Sequence, residues 1–145
     1  MTSAPAMHAG FVALRLGGLW RGALITGPSG AGKSDLALRA LDEGFRLVAD
    51  DRTIVFVSGG RLFGCAPAPL QGLIEARGIG VLPSPSLPFA QVVLAVLCVA
   101  EPDQPERMAP VVHETIDAIA IPILRLWPFE ASAPAKLRRA LRHLG

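Results

Sequence analysis

Charge is scarce in this 145-residue sequence: Asp, Glu, Lys and Arg together make up 18%, against about 25% in an average soluble domain. Fourteen basic and twelve acidic residues leave a net charge of +2, with no broad stripe of one sign. That excludes a nucleic-acid-binding surface. The one basic cluster, Lys136 to His143, reads as the solvated face of a last helix whose cations complement the helix dipole. Cysteine is scarcer still. Cys65 and Cys98 both sit beside apolar residues, which excludes a disulfide scaffold and reads as two reduced, buried thiols. Long apolar runs are missing as well. The longest, Val92 to Ala100, is about half of the ~18 residues a spanning helix needs. Met1 to Gly10 has neither the basic start nor the apolar core of a signal peptide. The expectation is a cytoplasmic protein with neither membrane nor nucleic-acid partner.

Apolar residues are plentiful at 51%, with fifteen glycines and thirteen prolines. This composition excludes disorder, collagen and coiled coil. A chain of this length buries roughly 68–70% of its unfolded surface, and residues 1–145 read as one domain.

Glycine and proline punctuate the chain. Phe11 to Leu16 reads as a strand broken by Gly17-Gly18, and Ala23 to Thr26 as a short buried strand ending at Gly27. Ser34 to Glu43 spaces Leu36, Ala37, Ala40 and Leu41 as a helix does, with Gly44 at the position after its end. Arg46 to Ala49 reads as a strand closing on Asp50-Asp51. Thr53 to Val57 and Arg61 to Cys65 read as the two arms of a hairpin about Ser58-Gly59-Gly60. Leu73 to Arg77 is an ordered charged stretch, and Pro83, Pro85 and Pro88 mark a loop. Val92 to Val99 is apolar on both faces, as a central strand is. Two strand-like pieces follow within Thr115 to Ile123, then a closing helix from Ala135 to Leu144. The pattern is α/β, a mixed sheet flanked by helices.

Gly27-Pro28-Ser29-Gly30-Ala31-Gly32-Lys33-Ser34 satisfies the phosphate-loop pattern at every defined position, between an apolar strand and an amphipathic helix. Glycines without a Cβ let the backbone adopt left-handed angles and turn N–H groups onto a phosphate. The following helix adds its positive dipole end. Lys33 would reach the β- and γ-phosphates of a nucleotide, and Ser34 would offer its hydroxyl to Mg²⁺.

Three features bear on the reaction. Asp50-Asp51 ends the next strand and lies beside the loop if the two strands are neighbours. One of the two would hold Mg²⁺ or accept a proton from an attacking hydroxyl; alternatively both cap a turn. In Leu73 to Gly80, strand alternation would put Glu75 and Arg77 on one face, as an ion pair or as a metal ligand and its positioning cation. His8 precedes the first strand, where a lone histidine reads more readily as a surface residue than as a catalytic one.

The phosphate loop, Arg46-Leu47-Val48-Ala49-Asp50-Asp51 and Glu75-Ala76-Arg77-Gly78-Ile79-Gly80 together resemble the catalytic domain of HPr kinase/phosphorylase. That resemblance implies a sheet like that of phosphoenolpyruvate carboxykinase and a chain without the family's N-terminal domain. It also implies transfer of phosphate from ATP to a serine of HPr, the phosphocarrier of a bacterial phosphotransferase system. The reverse reaction, with inorganic phosphate and yielding pyrophosphate, would accompany it, in a homo-oligomer, typically a hexamer. By the same resemblance Asp50 is the general base and Lys33 steadies the transferring group. Ser34 and Glu75 hold the metal, while His8 and Arg107 join the catalytic set. Two other readings of the phosphate loop remain: a small-molecule kinase and a non-catalytic nucleotide-sensing module.

Overall fold

The computed structural model describes residues 6–102 and 110–145. Eleven strands and two helices follow in chain order: β1 (Ala6–Met7), β2 (Gly10–Leu16), β3 (Leu19–Thr26), α1 (Lys33–Asp42), β4 (Arg46–Ala49), β5 (Thr53–Ser58), β6 (Arg61–Cys65), β7 (Leu73–Ala76), β8 (Gly80–Pro83), β9 (Ala90–Cys98), β10 (Val112–Ile116), β11 (Ile119–Leu126) and α2 (Ala133–His143). Two-residue turns at Gly17-Gly18 and Gly59-Gly60 close the β2–β3 and β5–β6 hairpins. Both glycines of each pair stand at positive φ, as the turn type that matches strand twist requires.

Nine strands form one mixed sheet: seven run in the order β1-β5-β6-β9-β3-β2-β4, β11 joins at β9 and β10 pairs with β11, while β7 and β8 form a separate hairpin. At β9 the sheet forks. One edge of β9 pairs in parallel with β3; its other edge takes β6 near Gln91 and, further along, β11 in parallel from Ala95 to Cys98. The expectation of a central strand at Val92 to Val99 is met. Successive side chains of β9 point to opposite faces beyond a register shift between Val92 and Leu94, so Leu94, Val96 and Cys98 join one apolar cluster and Ala95 another; the shift puts Val92, two residues before Leu94, with Ala95.

The first cluster lies between the sheet and the helices, where Leu36, Ala37 and Ala40 of α1 and Leu137 and Leu141 of α2 cover Val12, Ala23, Ile25 and Leu94. The second holds Phe11, Leu24, Val48, Val55, Leu62 and Ile121, and no helical residue. The curl of the sheet covers it. Phe11 lies against Gly22 of β3 and Gly64 of β6, where an added Cβ would fall 2.3 Å and 2.7 Å from its ring.

The end of the Arg46–Ala49 strand would lie beside the phosphate loop if that strand neighboured the one before the loop. It does not. β2 lies between β3 and β4 and runs antiparallel to both, so β3 and β4 are parallel and their C-terminal ends share one edge of the sheet. The outer flank of β4 is covered by the Pro83–Pro88 segment, through Leu87 N–H to Leu47 O at 2.9 Å and a bridge from Leu47 to Ser86.

Candidate active site

The phosphate-loop residues turn from the end of β3 into α1. Gly27 stands at φ +141°, and a Cβ there would lie 2.7 Å from the backbone oxygen of Cys98. The loop is thereby seated on the end of β9. Gly32, at φ +99°, immediately precedes α1, and its missing Cβ leaves room for Pro128 and Phe129. Gly30, at φ +81°, has no heavy atom other than those of its chain neighbours within 4 Å of where a Cβ would be. That side of the loop is open, as the approach of a phosphate to a glycine backbone requires. No side chain caps α1, so its first N–H groups remain available to an anion. Lys33 folds over the loop, donating from Nζ to Gly27 O at 2.8 Å and Pro28 O at 3.3 Å.

Beneath the loop, burial pushes the Cys98 thiol up to about 11, with the Lys33 charge opposing the shift. Such a thiol stays protonated and unreactive near neutral pH.

Asp50 follows β4 at the same sheet edge and is partly buried. Its Oδ2 accepts the backbone N–H of Glu75 at 2.9 Å. Burial raises the Asp50 pKa above its ordinary 3.8; the hydrogen bond from Glu75 opposes this, and the charges of Asp51 and Glu75 add to it. Asp51 takes a left-handed backbone, φ +67°, and turns to His8, whose Nδ1 lies 3.8 Å from its Oδ1. The buried Thr53 hydroxyl donates to Ala9 O at 2.8 Å, tying the segment that carries His8 to β5.

The Asp50-Asp51 pair thus has two neighbours: Asp50 faces Glu75, and Asp51 faces His8. The turn into α1 opens on the same sheet edge. Arg77 departs from the expected strand alternation with Glu75, because β7 ends at Ala76 and Arg77 stands exposed in the following turn. Arg107 lies outside the described residues.

Among the described residues no group of three or more His, Cys, Asp or Glu could hold a metal unaided. The donor set nonetheless suits Mg²⁺, which is commonly bound by one or two carboxylates together with phosphate oxygens and water. Ser34 and Glu75 are both exposed and offer oxygen ligands of that kind.

The Trp127–Glu130 turn after β11, unanticipated from the sequence, packs against the loop at Gly32 through Pro128 and Phe129. Its sole sequence signal is a proline between two aromatics at the end of an apolar strand.

Comparisons with known proteins bear on the family and the fold. Residues 1–88 match the family model described as HPr Serine kinase C-terminal domain. The HPr kinase/phosphorylase of Clostridium tetani is 47% identical over 66 residues, covering 46% of this chain and 22% of that protein. That of Burkholderia cenocepacia is 37% identical over 118 residues, covering 74% of this chain and 36% of that protein. The chain thus spans about a fifth to a third of the length of these relatives. The solved HPr(Ser) kinase/phosphatase of Coxiella burnetii superimposes with a TM-score of 0.79 at 27% identity, covering 94% of this chain and 88% of that one. The α/β fold is that of the solved enzyme, and the matched residues contain the loop, Asp50 and Glu75: the chain belongs to the HPr serine kinase C-terminal domain family.

Proposed function

We propose that this chain is a catalytic domain transferring the γ-phosphoryl group of ATP to a serine of the phosphocarrier protein HPr. The observation that carries the reading is the shared sheet edge: the Gly27–Ser34 loop opens there, and Asp50, fixed by the Glu75 N–H, stands two strands away.

Phosphoryl transfer through a loose transition state asks a protein mainly for positioning and charge neutralisation. The loop N–H groups and the start of α1 bind the phosphates. Lys33 leaves its loop carbonyls for the β- and γ-oxygens and offsets charge as the bridging P–O bond lengthens. The serine hydroxyl attacks the γ-phosphorus, ADP leaves, and Asp50 takes the hydroxyl proton. A bound Mg²⁺, held by Ser34 and Glu75, would supply further neutralisation of phosphate charge. His8, beside Asp51, adds a donor at the phosphate side, and Arg107 completes the set. Residues 1–145 act as one domain in this reading. The reverse phosphorolysis, with inorganic phosphate entering and pyrophosphate leaving, uses the same groups with Asp50 as acid. Assembly into a homo-oligomer and a cytoplasmic setting belong to the same reading.

The test is direct. Purified protein, labelled ATP, Mg²⁺ and HPr from the same organism should give phosphoserine on HPr. Lys33→Ala and Asp50→Asn should each reduce transfer by at least ~10²-fold, the lower end of a positioned acid–base contribution. Nucleotide binding without any labelling of HPr would overturn the assignment.

A further inference from the structure

Phe129 is a large apolar side chain left half in solvent, at 52% exposure, beside the phosphate loop. Its ring reaches the position a Gly32 Cβ would occupy, with Cζ 2.7 Å from that point and Pro128 Cγ 2.8 Å from it. The turn that holds it is tied down on several sides. Arg39 of α1 donates to Pro128 O, and at 3.4 Å to Glu130 O. The same guanidinium pairs with Asp35 at 3.0 Å. Glu130 pairs with Lys136 of α2 at 2.7 Å. Glu130 N–H bonds to Trp127 O and Ala133 N–H to Glu130 O. The Trp127 ring meets Phe129 edge-on, with centroids 6.4 Å apart. An exposed aromatic ring is here braced from α1, from α2 and from its own turn.

Its place in the sheet gives the exposure a use. β11 lies two strands from β3 on the side opposite β4, and runs parallel to β3 through β9. The turn after β11 therefore opens on the same edge as the phosphate loop, where open α/β sheets bind ligands. On one side of the loop stands Asp50; on the other stands Phe129. A nucleotide whose γ-phosphate points toward Asp50 extends its base the other way.

Building on the ATP reading above, we infer that the Phe129 ring is the platform on which the nucleotide base stacks. Stacking on an aromatic face tolerates any base, because each has a π-face. The platform therefore holds the base without selecting adenine by hydrogen bonds. It is also pre-formed, since the bonds of Arg39 and Lys136 to the turn exist before any ligand arrives, and that reduces the ordering cost of binding.

The test separates the base from the phosphates. The full chain carries two tryptophans, and Trp20→Phe leaves Trp127 as the reporter beside the platform. Calorimetric titrations of this protein compare ATP with inorganic tripolyphosphate, in Phe129, Phe129→Ala, Phe129→Leu and Phe129→Tyr forms. ATP should bind about 5- to 100-fold more weakly to the Ala and Leu forms. Tripolyphosphate affinity should be unchanged, and Tyr should restore ATP binding. Trp127 emission should respond to ATP and not to tripolyphosphate. Leu keeps apolar contact with Pro128 but has no ring face, so ATP binding retained by Phe129→Leu overturns the platform. Equal loss of both ligands in the Ala form overturns it too, since that marks Phe129 as packing for the loop. A wild-type protein that binds neither ligand overturns the nucleotide reading itself, and the platform with it.

Discussion

Asp50 is pulled in two directions: burial and its acidic neighbours raise its pKa, and the Glu75 N–H lowers it. The net rise fixes the sign of a pH effect. Because the folded pKa exceeds 3.8, the native protein binds this proton more tightly than the unfolded chain. The associated stability is fully present below the unfolded value and is lost as pH rises through the folded one. Asp50→Asn keeps an oxygen for the Glu75 N–H and carries no charge. It should match the parent in acid and be the more stable of the two above that window, as urea unfolding at a series of pH values would read. A difference independent of pH would remove the burial account. Transfer to HPr should rise with pH through the same raised value, because a base must be ionised to take a proton. The places of Lys33 and Ser34 at the start of α1 and of Asp50 after β4 were legible in the sequence, because the glycine spacing marks the turn into a helix and a strand ends where its pattern stops. The different neighbours of Asp50 and Asp51 were not, since they depend on the positive φ of Asp51.

Elements were legible in proportion to their local signals. Ser58-Gly59-Gly60 announced one hairpin, Gly17-Gly18 only the end of a strand, and the spacing of Leu36, Ala37 and Ala40 announced α1. The hairpin of β10 and β11 has no such marker. It turns on Asp117 and Ala118, both at positive φ without being glycine. The β3–loop–α1 element also separates fold from ligand binding. Gly27→Ala would force a left-handed backbone against the Cys98 carbonyl, and should cost at least about 1–2 kcal/mol from the backbone alone. Gly30→Ala, at φ +81°, carries a similar backbone cost but meets no neighbour, and it places a methyl where a phosphate would approach. Denaturation should therefore show the larger loss in Gly27→Ala, whose Cβ also clashes with Cys98 O, and ATP titration the larger loss relative to stability in Gly30→Ala. If Gly30→Ala bound ATP normally, the loop would not be the phosphate cradle.

The whole molecule was the least legible level. Strand order depends on pairings that no window of sequence contains: β3 meets β9 some seventy residues later, as the bond from Thr26 to Val96 illustrates. The intervening β2 could not be anticipated from a strand–helix–strand pattern, nor could the return of the chain after β11 to pack on Gly32. Because β9 contributes to both apolar clusters, the two should unfold together. Leu94, fully buried, should cost about 2–5 kcal/mol on replacement by alanine. The transition should remain single by circular dichroism and by tryptophan emission. Two separated transitions would mean that the sheet faces are independent.

The placement of β2 between β3 and β4 also works as a gauge. Neighbouring strands lie ~4.8 Å apart, so Asp50 is set roughly 10 Å across the sheet from the strand that carries the loop. Under the proposed reaction that interval is too wide for the carboxylate to lean on the loop, and it leaves room for a phosphoryl group and an incoming hydroxyl side by side. Strand order thus sets the width of the slot that an acceptor hydroxyl would have to enter under that reaction.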